Sequence, residues 1–146
     1  MTQTTESQFS ADEEKAILDV VVASRRLIDD NEPEAFAELF APEVVFDICP
    51  PPDGMPLPLV GKEQVVGWLT ANRARQGDRN PRLHVMTDSV VTALGPDVAQ
   101  VVSEMLVHSG PTADTPVTGG GRQIDVLTRT AAGWLFTSRM LRAVSR

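Results

Sequence analysis

The chain has 146 residues, 42% hydrophobic and 23% charged, which is the composition of one globular domain with a core large enough to fold without disulfides or a structural metal. Its net charge of −7 disfavours a nucleic-acid partner, and its single cysteine, Cys49, excludes an internal disulfide and a paired-thiolate metal site. There is no tyrosine, so no step of any chemistry here can use a phenol.

Residues 1–9 are polar and read as a disordered leader, not a signal peptide, because no charged start is followed by an apolar run. No apolar stretch reaches the length of a membrane span. A single domain over 10–146 is expected, and the cysteine usage points to a reducing, cytoplasmic setting. Ser10 and Glu13 form a capping box, and acids at 12, 13 and 14 suit the positive end of a helix. Ile17, Val20, Val21, Ser24, Leu27 and Ile28 recur at helical spacing, predicting a helix over 11–30. A short second helix opens at Pro33, turns Phe36, Leu39 and Phe40 inward, and is expected to end at Pro42.

Val44, Phe46 and Ile48 alternate as in a strand. Five prolines between 50 and 58 then impose an irregular loop. Gly61-Lys62-Glu63 opens a third helix carrying Val65, Val66, Trp68 and Leu69, which fades near Gly77. From Arg82 the period changes to two, predicting strands over 82–94, 98–109, 121–130 and 134–144. The stretch 109–120 is expected to be a longer loop, with Gly119-Gly120-Gly121 a flexible turn, and Cys49 a small apolar filler. Charge is uneven: residues 1–53 hold 13 acids and 3 bases, residues 54–146 hold 7 acids and 10 bases. The late bases are expected to balance the acidic helices.

Helices first and consecutive strands after them give an α+β fold. The expected architecture is a conical, curved antiparallel sheet packed on three N-terminal helices, open at one end to a ligand.

The run from Asp29 to Phe40, then Ala41-Pro42-Glu43-Val44-Val45-Phe46, Gly61 with its helix, Arg82-Leu83-His84-Val85-Met86-Thr87-Asp88, Gly121 to Asp125, Gly133-Trp134 and Arg139 together resemble the SnoaL-like branch of the nuclear transport factor 2-like superfamily. The resemblance covers residues 10–144. It implies a conical α+β barrel and one of several activities, among them dehydration, ketosteroid isomerisation, polyketide cyclisation and epoxide hydrolysis, or no catalysis at all.

The resemblance points first to His84 with an aspartate from helix one, which by spacing to Phe40 is Asp29. The chemistry is sensible independently: a histidine in an apolar pocket can take a proton, and a carboxylate on its other nitrogen sets the tautomer. The alternative is a core histidine and a helix-capping aspartate. Asp29 near a helix C-terminus is electrostatically unfavourable and needs compensation. Strand alternation places Met86, Asp88 and Val90 on the face of His84. Arg139 can orient a ligand carbonyl or pair with Asp125 or Glu104. Glu104 and His108 share a strand face but lack a third ligand, so no metal site is expected.

Two departures narrow the reading. Ser24 stands five residues before Asp29, where dehydratase-like members often carry tyrosine, and Gln123 replaces the tyrosine of a Gly-x-Tyr-x-Asp pattern in Gly121 to Asp125. An epoxide-hydrolase set is disfavoured, since Arg122 and Asp125 fall on opposite strand faces. The leading expectation is a cofactor-free lyase or isomerase acting on a hydrophobic cyclic or polyketide-like molecule. His84 and Asp29 would form the base, with Ser24, Asp88, Arg139, Met86 and Trp68 against the substrate. The second is a non-catalytic ligand-binding or subunit-interaction domain. A homodimer through the outer sheet face is expected, from apolar residues on both faces of the strand that begins at Arg82, with Leu83, Val85 and Val91 against Met86, Val90 and Leu94.

Overall fold

A computed structural model of the chain describes residues 9–76, 82–109 and 117–144. Residues 1–8 of the expected leader, the end of the third helix near Gly77 and the middle of the expected 109–120 loop lie outside these.

Helix α1 (Ala11–Asp29) begins as its sequence requires: the Glu13 N–H donates to the Ser10 hydroxyl at 3.1 Å, and Asp12, Glu13 and Glu14 occupy the first turn. It buries Ile17, Val21 and Ser24. Just before it, Phe9 sets its ring edge-on to Trp134 at 5.4 Å, so the last residue of the expected leader is part of the packing. Asn31 then takes a left-handed backbone (φ 56°), a conformation asparagine tolerates, and reverses the chain. Helix α2 (Pro33–Ala37) carries proline in its first turn and buries Phe36.

Strand β1 (Phe40–Cys49) starts earlier than expected and contains Pro42, which therefore does not end a helix. The proline lacks an N–H, and the pairing register shifts between Phe40 and Val45 to accommodate it. After the proline-rich loop come β2 (Leu59–Val60) and α3 (Lys62–Gln76). Four long strands follow: β3 (Arg82–Gly95), β4 (Val98–Ser109), β5 (Val117–Thr130) and β6 (Gly133–Ala143). Cys49, at the end of β1, is exposed and so is not the apolar filler expected.

The six strands form one sheet in the order β2-β1-β6-β5-β4-β3. The last four pair antiparallel, as predicted, but β1 lies parallel to β6, so the sheet is mixed. Two strands so far apart in sequence have no turn to force them antiparallel. The sheet ends in two edges, β2 and β3, and does not close into a barrel. Its inner face meets the helices over Ile17, Val21, Phe36, Phe40, Val44, Val65, Val101, Leu127 and Phe136, all at most 2% exposed. Phe40 links Phe36 and Phe136, with ring centres 4.7 and 5.1 Å away.

Two local features depart from the sequence reading. In β3 the register shifts between Thr87 and Val90, with Asp88 at φ 51°, a bulge that inserts one extra residue. Alternation therefore changes hands: Ser89 reaches the buried Ser103 hydroxyl at 2.8 Å, Val91 packs on the core, and Val90 faces solvent, 59% exposed. In β5, Gly119, Gly120 and Gly121 are not a turn but paired strand, with Gly121 between Met105 and Ala143. A Cβ on Gly121 would lie 2.1 Å from the Arg142 carbonyl oxygen, so this close approach requires glycine.

Candidate active site

His84 sits on β3, the edge of the sheet, beside the last turns of α1. Its pairing with Val107 on β4 leaves its backbone N–H and C=O directed away from the sheet. Helix α1 meets both. The His84 N–H donates to Asp29 Oδ2 at 3.1 Å, and Arg25 Nη1 donates to the His84 carbonyl oxygen at 2.9 Å. The other oxygen of Asp29 lies 2.5 Å from Nδ1 of the His84 ring. Arg25 and Asp29 are one helical turn apart, and Arg25 Nη1 stands 3.8 Å from Asp29 Oδ2. The compensation that a carboxylate near a helix C-terminus needs is thus supplied by this guanidinium and by His84.

Deeper on the same face lies a buried polar network. Arg139 donates from Nε to Asp125 Oδ1 at 2.7 Å and from Nη2 to the Ser24 hydroxyl at 2.8 Å. Gln123 donates to the other oxygen of Asp125 at 2.7 Å, and Ser24 donates its own proton to the Val21 carbonyl at 2.7 Å. Arg139 stacks on Phe136, 4.4 Å from the ring centre. Asp125 is fully buried, so of the two partners weighed for Arg139 the structure pairs it with Asp125. Glu104 pairs instead with Arg122 at 2.9 Å on the outer face. No side-chain nitrogen or oxygen buried among the described residues lacks a partner.

A cavity of about 80 Å³ touches both groups, lined among others by Ser24, Arg25, His84, Met86, Gln123 and Arg139. A groove of about 270 Å³ runs between α1 and the free edge of β3, and adjoins the cavity at Arg25, His84 and Met86. The structure thus brings together His84, Asp29, Ser24, Arg139 and Met86. It does not bring in Asp88, which sits at the bulge, is exposed and lines neither the cavity nor the groove. Nor does it place Trp68 in the lining; that ring packs half-buried against the core, and the neighbouring Leu69 faces the cavity. The sequence reading missed Arg25. Its signal was present: an arginine four residues before Asp29 shares a helix face with it. Among the described residues no cluster of three or more His, Cys, Asp or Glu side chains could hold a metal.

The arrangement can move a proton. Asp29 on Nδ1 favours the tautomer that carries its proton there, which leaves Nε2 with the lone pair of a general base. Ser24 and Arg139 bond each other and their neighbours, and so shape the cavity floor.

Three helices against a curved, open, mixed sheet with a polar cleft on the concave side define an α+β cone of the nuclear transport factor 2-like class. Within that class the chain belongs to the SnoaL-like domain family, whose pattern matches residues 10–140. An NTF2-like protein with a cystatin-like fold from Novosphingobium aromaticivorans is 17% identical, with a TM-score of 0.77 over 92% of this chain and 83% of that one. A candidate scytalone dehydratase from the same organism is 21% identical, with a TM-score of 0.74 over 91% and 85%. A Catenulispora acidiphila protein in complex with S-DNPA is 24% identical, with a TM-score of 0.73 over 92% and 95%. Each likeness is one of fold. No curated protein matches the sequence. No helix among the described residues is long and apolar enough to cross a membrane.

Proposed function

We propose that the protein is a cofactor-free lyase or isomerase acting on a hydrophobic cyclic or polyketide-like small molecule. His84 is the general base that removes a proton next to a carbonyl, and Asp29 orients it. The observation that carries this reading is the 2.5 Å contact between Asp29 Oδ1 and Nδ1 of His84, a residue that lines the cavity. A small-molecule occupant is in keeping with the Catenulispora relative, which is in complex with S-DNPA. An imidazole removing a proton activated by a carbonyl needs no cofactor. The exposed single cysteine and the composition support a cytoplasmic setting.

The test is a screen of cyclic ketones and β-hydroxyketones. His84→Ala is expected to lower turnover by roughly 10²–10⁴-fold and leave the melting temperature near that of wild type. A large fall in melting temperature, with the wild type inert on every compound, supports the second reading, a non-catalytic ligand-binding or subunit-interaction domain. The subunit-interaction form of that reading is favoured by the cavity beside His84, whose 80 Å³ is well under the roughly 300–1,000 Å³ of ordinary ligand pockets.

The chain is further proposed to form a homodimer through the outer face of the sheet. Val90 and Leu106, 59% and 47% exposed, belong to that face, beside Leu83. Leu106→Glu is expected to shift the gel-filtration mass from two chains to one at micromolar concentration. A wild type already eluting as one chain overturns the proposal.

A further inference from the structure

Arg25 is not needed to explain proton removal by His84, yet its guanidinium lines both the groove and the cavity. One of its nitrogens, Nη1, is engaged by the His84 carbonyl oxygen and lies near Asp29. Nε and Nη2 have no hydrogen-bond partner among the described residues, and neither is a buried atom left unsatisfied. A planar fork held at one tip therefore keeps donors for a ligand, beside the imidazole that takes the proton.

Charge decides what kind of ligand. Asp29 stands beside Arg25, 3.8 Å from Nη1, and the imidazole is uncharged when it acts as a base. A carboxylate entering this site would meet the like charge of Asp29. A neutral carbonyl compound enters without that cost. When its α C–H bond breaks, the proton goes to Nε2 of His84 and the carbon pair becomes a C=C bond. The π pair of C=O moves to oxygen. An enolate and an imidazolium appear together, so the site stays balanced with Arg25 facing the new oxyanion. The proton then returns to another carbon, which is isomerisation, or leaves with a β-hydroxyl as water, which is elimination. No further reactant is required.

Size decides where the body lies. The cavity is too small for a ring system, whereas the groove, at about 270 Å³, approaches the size of ordinary ligand sites. Its walls are Leu18, Val21 and Val22 from α1 and Leu83, Val85 and Met86 from β3.

We propose that the groove between α1 and the edge of β3 holds the body of an uncharged, enolisable ketone and that Arg25 binds its carbonyl oxygen and stabilises the enolate. This rests on the reading of His84 as base, and the two are tested separately. The binding arm measures the affinities of 2-naphthol, an enol mimic, and its methyl ether. Wild type binds 2-naphthol at least tenfold tighter. Arg25→Gln abolishes that preference, and Arg25→Lys, which keeps the charge and the fold, retains part of it. His84→Ala keeps it. Val22→Trp, on the exposed side of the groove, weakens both naphthalenes alike. The exchange arm follows deuterium entering 2-tetralone by NMR, and Arg25→Gln is expected to slow it by roughly 10²–10³-fold. Absence of the 2-naphthol preference in wild type, or its survival in Arg25→Gln, overturns the role of Arg25. Unchanged affinities in Val22→Trp overturn the placement in the groove. Exchange that is equal in wild type and His84→Ala overturns the base, not the Arg25 assignment.

Discussion

Asp29 and Asp125 are both carboxylates on the inner side of the fold, and their neighbours give them different work. Asp29 divides its oxygens between the backbone and the ring of one residue, His84, and so holds an edge strand and a tautomer at once. Asp125 has no such reach. It is fully buried, with Arg139 on one oxygen and Gln123 on the other. Removing it leaves the Arg139 guanidinium, 7% exposed, without a countercharge. Asp125→Ala is therefore expected to destabilise the fold by about 3–5 kcal/mol, measured as a lower urea midpoint at unchanged slope. Replacing both partners, Asp125→Leu with Arg139→Met, recovers much of the loss, because no charge is then stranded. Equal stability of the single and double variants would contradict a compensated pair.

At the level of the elements, the strands owe their faces to two irregularities. The β3 bulge moves Ser89 and Val91 inward and sends Asp88 and Val90 to solvent. In β5, Gly121 lets β6 approach closely enough for the Arg142 carbonyl to sit where a Cβ would be. Gly119, two residues earlier, faces open space. Gly121→Ala is expected to cost about 1–3 kcal/mol through backbone displacement, and Gly119→Ala less than about 1 kcal/mol. Thermal melts of the two variants check this, and similar losses at both positions would mean that close packing is not the cause.

Across the whole molecule, the acidic N-terminal half closes on the basic C-terminal half. Arg129 on β5 bonds both oxygens of Glu13 in the first turn of α1, at 2.8 and 2.6 Å, across 116 residues of sequence. It also bonds Asp97 and lies over the Trp134 ring, 4.9 Å from its centre. The hydrogen bond from Arg129 holds the Glu13 carboxyl below its ordinary value of 4.5. A carboxyl depressed in the folded state stabilises that state above the unfolded value, and the contribution is lost as pH falls through the folded one. The melting temperature of wild type should exceed that of Glu13→Gln at pH 7. The gap should close as pH falls below about 4. A gap that widens on acidification would show the opposite linkage.

The element order, the α+β class, the capped start of α1 and the period-two strands were legible in the sequence because each rests on neighbours within a few residues, where helix and strand geometry act. The pairing of His84 with Asp29, 55 residues apart, was legible only through the resemblance to the SnoaL-like family, which spreads over most of the chain. What the tertiary structure alone decided depends on chain segments far apart. The parallel seam of β1 on β6 joins the two ends of the domain. The single inserted residue near Asp88 shifts a face without leaving a mark in the hydrophobic pattern, since Val90 and Val91 are both apolar. Arg139 could have met Asp125, Glu104 or a ligand, and only the register of β5 on β6 set Asp125 opposite it. Arg25 was readable as the helical neighbour of Asp29. That it faces a groove depends on β3 being an edge strand, because only an edge leaves backbone groups and open space for a helix side chain to meet.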